Sequence, residues 1–121
     1  MWRYPHLPSL RLHVDGRDAR VCAFKASSVT ARLFGLLGRR ALAADEALWL
    51  TPCNSVHTLG MSYPIDVVYL DKADRVIGIR SELAPRRFSA ARRARSVLEL
   101  PARQAARLGL VPGARVTLEA A

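Results

Sequence analysis

The chain is poor in several things that would narrow its function directly. It has two cysteines, Cys22 and Cys53, in 121 residues, with no Cys-x-x-Cys pair and no zinc-finger spacing. A disulfide framework and a structural zinc site therefore have no sequence support, and both cysteines are expected as thiols. No apolar run reaches the roughly 18 residues that a membrane span needs. The first residues, MWRYPHLPSLRLHV, lack the apolar stretch of a secretory signal, so a cytoplasmic location is expected. Aromatics make up 7% of the chain. Gly35 and Gly38 lie in a helical pattern with no following Lys-Ser/Thr, which excludes a phosphate-binding loop. No cofactor and no metal site is expected, and no catalytic set is assigned.

Lysine is also scarce. Of 19 basic residues only Lys25 and Lys72 are lysines, which leaves 17 arginines against 10 acidic residues and a net charge of +9. Such an excess favours anionic partners, and arginine is the better bidentate partner for carboxylate and phosphate. A GC-rich genome also produces arginine and alanine in excess, so this bias alone assigns no function.

The length suits one domain over residues 1–121, with a core at about 9–119. Leu10, Leu12 and Val14 alternate as a strand, Asp15-Gly16 is a hairpin turn, and 20–24 return. Ser27 or Ser28 caps an expected helix to about Leu37, closed by Gly38. Residues 47–51 read as a buried strand and 52–60 as an irregular loop. The strongest strand signal is Ile65–Leu70, followed by a turn at 71–74 and a return at 75–79. Residues 84–95, APRRFSAARRAR, carry five arginines and read as a solvated loop. A strand at 96–99, a short helix from Pro101–Ala102 to Leu108, a turn at 111–113 and a strand at 115–118 complete the chain. Many short strands with two short helices predict an α+β, mostly β fold: a small closed or partly closed β-barrel.

Four segments then resemble one family. Arg32–Arg39 (RLFGLLGR) is similar to an RxxGLMGR helix, and Leu48-Trp49-Leu50 to the apolar strand after it. Pro64–Asp71 (PIDVVYLD) is similar to PLDxxFLD. Val97–Ala102 with Leu108–Gly113 is similar to VLELPAG and GIxxGD. On these the chain is identified as a member of the DUF192 (UPF0127) family, over about Leu12 to Leu118. The resemblance implies a small β-rich, barrel-like fold and no established biochemical role. Departures occur where the family is polar: His57-Thr58-Leu59-Gly60-Met61 stands where many members carry Trp-Met-Lys-Asn-Thr, Arg103 replaces a glycine, and Ala114 an aspartate.

Three chemistries merit weighing. The leading expectation is a non-enzymatic binding domain for a small anionic ligand or acidic partner. Its site would join Arg32 and Arg39 to Cys53, His57, Thr58 and Asp66 in one hollow. Asp66, within an apolar strand, needs a partner: Arg32, Arg39 or loop N–H groups. The second is nucleic-acid association through Arg86, Arg87, Arg92 and Arg93, with Phe88 the single interleaved ring. The third is a hydrolase or transferase in which His57 activates Cys53; Asp66, on the adjacent strand, is the candidate to orient His57, and no oxyanion hole is evident for it.

Overall fold

A computed structural model describes residues 7–27 and 41–120. Nine strands are present among them: β1 (Ser9–Val14), β2 (Arg17–Ala26), β3 (Glu46–Leu50), β4 (Ser55–His57), β5 (Ile65–Leu70), β6 (Val76–Leu83), β7 (Phe88–Ala90), β8 (Ser96–Pro101) and β9 (Val116–Ala120). One short helix, α1 (Gln104–Arg107), lies between β8 and β9. The expected helix from Ser27 or Ser28 to Leu37 lies outside the described residues.

Seven strands form one mixed sheet in the order β6-β5-β8-β3-β2-β1-β9, and β4 pairs with β7 as a separate antiparallel ribbon. The β1–β2 turn is made by Asp15 (φ 51°) and Gly16 (φ 81°). Two successive left-handed residues match the twist of the flanking strands, and Val14 duly pairs with Arg17. β2 and β3 run parallel, which requires a long crossover; it spans 27–45. β5 is buried at all six positions and β8 at its first five. Strands with both faces covered read as unbroken apolar runs rather than alternating ones, which is why Ile65–Leu70 dominates the sequence pattern.

The sheet does not close into a barrel. β6 and β9 are its edges, and they meet at one end only, through the Arg75–Arg115 bridge. There Val76 N donates to Ala114 O (2.9 Å), Gly113 N to Val76 O (2.8 Å) and Val116 N to Asp74 O (2.9 Å). Short-strand composition suggests closure but cannot distinguish a closed sheet from an open one pinched at a corner. A second correction concerns the loops expected at 52–60 and 84–95, which contribute β4 and β7. Three-residue strands are too short for alternation to register. A third concerns Pro101, which ends β8 opposite Ile65 rather than opening a helix.

Side chains divide into two layers by strand alternation. One face buries Phe24, Ala26, Leu48, Leu50, Ile65, Val67, Tyr69 and Val97, with Val56 of the ribbon packed on it. The other buries Leu12, Val14, Ala23, Ala47, Val68, Leu70, Leu98 and Leu100 beneath Ala105, Leu110 and Ala114. The β4–β7 ribbon thus covers one face of the sheet, and the α1 segment covers the other. Leu98, fully buried at the centre, tests this arrangement. Leu98→Ala is expected to lower unfolding free energy by about 2–5 kcal/mol in urea titration, as for other buried leucines.

Candidate functional site

Thr58 joins two segments that are separate in the sequence. It is fully buried. Its hydroxyl donates to Ala84 O (2.6 Å) and accepts from Arg87 N (2.8 Å). Its backbone N–H donates to Arg87 O (2.9 Å), and its carbonyl accepts from Arg86 N (3.1 Å). With the pairs Ser55–Ala90, Val56–Ser89 and His57–Phe88, these bonds turn the polar 53–61 stretch and the arginine-rich 84–95 stretch into one hydrogen-bonded ribbon. The hydroxyl of Thr58 is engaged in this staple rather than directed at solvent. On the ribbon Arg86, Arg87, Arg92, Arg93 and Arg95 are all exposed. Phe88 is 71% exposed, and its ring lies 6.2 Å from that of His57, tilted by 51°.

Cys53 is half-buried against the face beneath the ribbon, and its Sγ donates to Ser55 O (3.0 Å). Among the described residues no hydrogen bond joins it to His57, whose Nδ1 is buried without a hydrogen-bond partner there. Asp66 belongs to the opposite face, sharing the alternation of Val68 and Leu70. It is 1% exposed. One carboxylate oxygen accepts from Glu82 N and the other from Ala105 N, both at 2.9 Å. Glu82 has φ 50° within a register shift of β6, so Asp66 holds a bulge on one side and the first turn of α1 on the other. Backbone amides occupy the carboxylate, as one of the two expected partner types, but they come from a strand bulge and a helix start rather than from a loop. The sheet thereby separates Asp66 from Cys53. Arg32 and Arg39 lie outside the described residues.

A residue that sequence reasoning passed over is Glu99. It sits on the interior strand β8, opposite Leu48 on β3 and Val67 on β5, and faces the ribbon-covered layer. It is 4% exposed, and its Oε1 has no hydrogen-bond partner among the described residues. Burial pushes its carboxyl up to about 7. Tyr63, packed against the same layer, has a buried hydroxyl with no partner among the described residues. Its phenol is raised above its ordinary value by burial and then by the Glu99 charge. The Tyr69 hydroxyl donates to Ser89 Oγ, which ties the sheet to the ribbon; burial raises its phenol too, with the Ser89 bond acting the other way. The signal for Glu99 was present in the sequence, as a lone carboxylate inside Val97-Leu98-Glu99-Leu100, an apolar run as continuous as that around Asp66.

With this geometry in view, the comparisons with known proteins place the chain. It belongs to the DUF192 family, described as an uncharacterized ACR, whose model matches residues 10–118. No curated protein matches the sequence. A crystal structure from Sinorhizobium meliloti 1021, described as a "putative transcription regulator", superposes with TM-score 0.83 at 22% identity, covering 93% of this chain and 95% of that one. A protein of unknown function from Novosphingobium aromaticivorans DSM 12444 gives TM-score 0.82 at 23% identity, covering 97% and 90%. At such identities the likeness shows a shared fold. No helix among the described residues is long and apolar enough to cross a membrane, and no group of three or more His, Cys, Asp or Glu among them could hold a metal ion.

Two outcomes follow from these contacts. Thr58→Val is expected to cost about 1–3 kcal/mol, since it removes a buried hydroxyl that Ala84 O and the Arg87 N–H both use. It should also speed hydrogen exchange at the Arg87 amide and tryptic cleavage after Arg86. Glu99 gives the protein a pH dependence. Its folded-state carboxyl lies above the ordinary 4.5, so the folded state holds a proton that the unfolded chain releases. The contribution of Glu99 to stability is therefore full below about pH 4.5 and falls as pH rises to about 7, by about 3 kcal/mol, then levels off. Glu99→Gln should remove this part of the slope in denaturant titrations across that window.

Proposed function

We propose that the chain is a non-enzymatic binding domain that receives an anionic partner on the β4–β7 ribbon. The observation that carries this reading is an array of five exposed arginines on a hydrogen-bonded ribbon with no opposing charge. Neither 51–64 nor 83–98 contains an aspartate or glutamate. None of the five arginines makes an ion pair among the described residues; the surface pairs found there are Arg11–Asp18 and Arg103–Glu82. Charge left uncompensated on an ordered element attracts anions at long range. Because Thr58 and the β4–β7 pairing already order the backbone, less conformational entropy is lost on binding than from a free loop.

The exposed Phe88 ring, with His57 beside it and Arg86 and Arg87 just before it, favours nucleic acid as a second reading, since bases stack on such rings while arginines follow the phosphates. The Sinorhizobium neighbour's description as a regulator is compatible with this reading. A small anionic ligand is the alternative within the same class, with Arg32 and Arg39 its further candidate contacts. Cys53/His57 catalysis has less support, because Sγ donates to a backbone carbonyl and His57 pairs with the ribbon.

Fluorescence anisotropy with heparin and with labelled single-stranded oligonucleotides, over a salt series, tests the proposal. Binding should weaken with a log–log salt slope of about −2 to −3 for three to four phosphate contacts. Arg86, Arg87, Arg92 and Arg93→Ala together should abolish it while leaving the fold intact by circular dichroism. Phe88→Ala should weaken oligonucleotides more than heparin if stacking contributes. Absence of binding to any polyanion at low salt would overturn the macromolecular reading.

A further inference from the structure

The face beneath the ribbon contains a second feature that the anionic-partner reading does not use. Glu99 and Tyr63 each present a buried polar atom with no hydrogen-bond partner among the described residues. A buried polar atom left unmatched costs about 1–3 kcal/mol, and more when charged. Five other buried polar atoms also lack partners among the described residues, on His13, Trp49, His57, Ser96 and Gln104. Glu99 and Tyr63, however, are coupled in one electrostatic neighbourhood on one face of the sheet, which marks a place where something else supplies the missing bonds. Tyr63 and Tyr69 both respond to the Glu99 charge, and Met61, Cys53 and Tyr63 pack on that face. No positively charged group among the described residues acts on Glu99; burial alone shifts it. Among the described residues the other titratable groups on this side include Tyr69, Cys53, Cys22 and Glu46. Glu46 accepts Ala43 N (2.8 Å). Arg80, exposed on β6, acts on Tyr69.

We propose that Glu99 and Tyr63 are the recognition groups of a small-molecule site on this face, and that its ligand carries a primary amine. A carboxylate only accepts hydrogen bonds, and an ammonium offers three donors. Two tyrosine rings beside the carboxylate suit a cation as well. The Tyr63 hydroxyl is then available to a polar atom next to the amine. The charged pair compensates the burial that otherwise keeps Glu99 protonated near neutrality, so binding releases a proton from Glu99. The site is independent of the arginine ribbon, so either proposal can fail alone.

Thermal shift and calorimetric titration with methylamine, ethanolamine and 1,4-diaminobutane, against the matching alcohols, test it at about pH 7. The amines should stabilise the protein and the alcohols should not, with proton release appearing as a dependence of the heat on buffer ionisation. Glu99→Gln, nearly isosteric and without a buried charge, should fold and lose at least about tenfold in amine affinity, and Tyr63→Phe a few-fold for ethanolamine. The variant lacking Arg86, Arg87, Arg92 and Arg93 should bind amines as wild type does. No stabilisation by any amine, equal stabilisation by the alcohols, or undiminished amine binding in Glu99→Gln would each overturn the proposal and leave a buried water as the partner of these atoms.

Discussion

β5 and β8 lie side by side inside the sheet, buried on both faces, and the rest of the structure answers to that. A strand pair of this kind cannot leave either face wet without exposing a large apolar area. One face is covered by α1 and the chain through Ala114. The other receives the β4–β7 ribbon, seated through Val56 and Ser89. Both covers are short and contribute little apolar area themselves, so each is fastened by a polar device: Asp66 reaching the Ala105 amide on one side, the Tyr69 hydroxyl and Ser89 on the other. Asp66 and Tyr69, polar residues within these apolar strands, are thus explained by what must be held in place over them.

This distinguishes Asp66 from Glu99. Both are carboxylates in nearly continuous apolar runs, and both are almost fully buried. Asp66 is saturated by two backbone amides, one held by a bulge and the other by a helix start, so its role is structural. Glu99 faces the other layer, where among the described residues nothing comparable meets its Oε1. Sequence context treats the two alike. Their difference arises from which cover each one faces, and it directs functional interest to Glu99.

The ribbon has a related logic. Its inner side, Val56 and Ser89, belongs to the core layer, while its outer side displays the arginines and Phe88. Thr58 lets a segment with so many like charges remain ordered, because four hydrogen bonds hold its backbone regardless of side-chain repulsion. An arginine-rich stretch that looks like a solvated loop is therefore a charged surface of defined shape, and the polar residues before it act as its support.

Local patterns in the sequence determined a good deal: the Asp15-Gly16 hairpin, the β5–β6 hairpin, the strands at β3, β8 and β9, the helix stop at Gly109 and the family itself. Each of these elements depends on residues within about ten positions of one another, where turn chemistry and side-chain period act directly, and the family is recognised from four such local segments. Only the tertiary structure decided that the sheet stays open, that two loops pair as a ribbon, that Thr58 staples them, and that Asp66 and Cys53 are divided by the sheet. These outcomes depend on contacts between residues dozens of positions apart, such as Thr58 with Arg87 and Asp66 with Ala105. They are set by which surfaces must be covered in three dimensions, and a one-dimensional pattern carries no record of that.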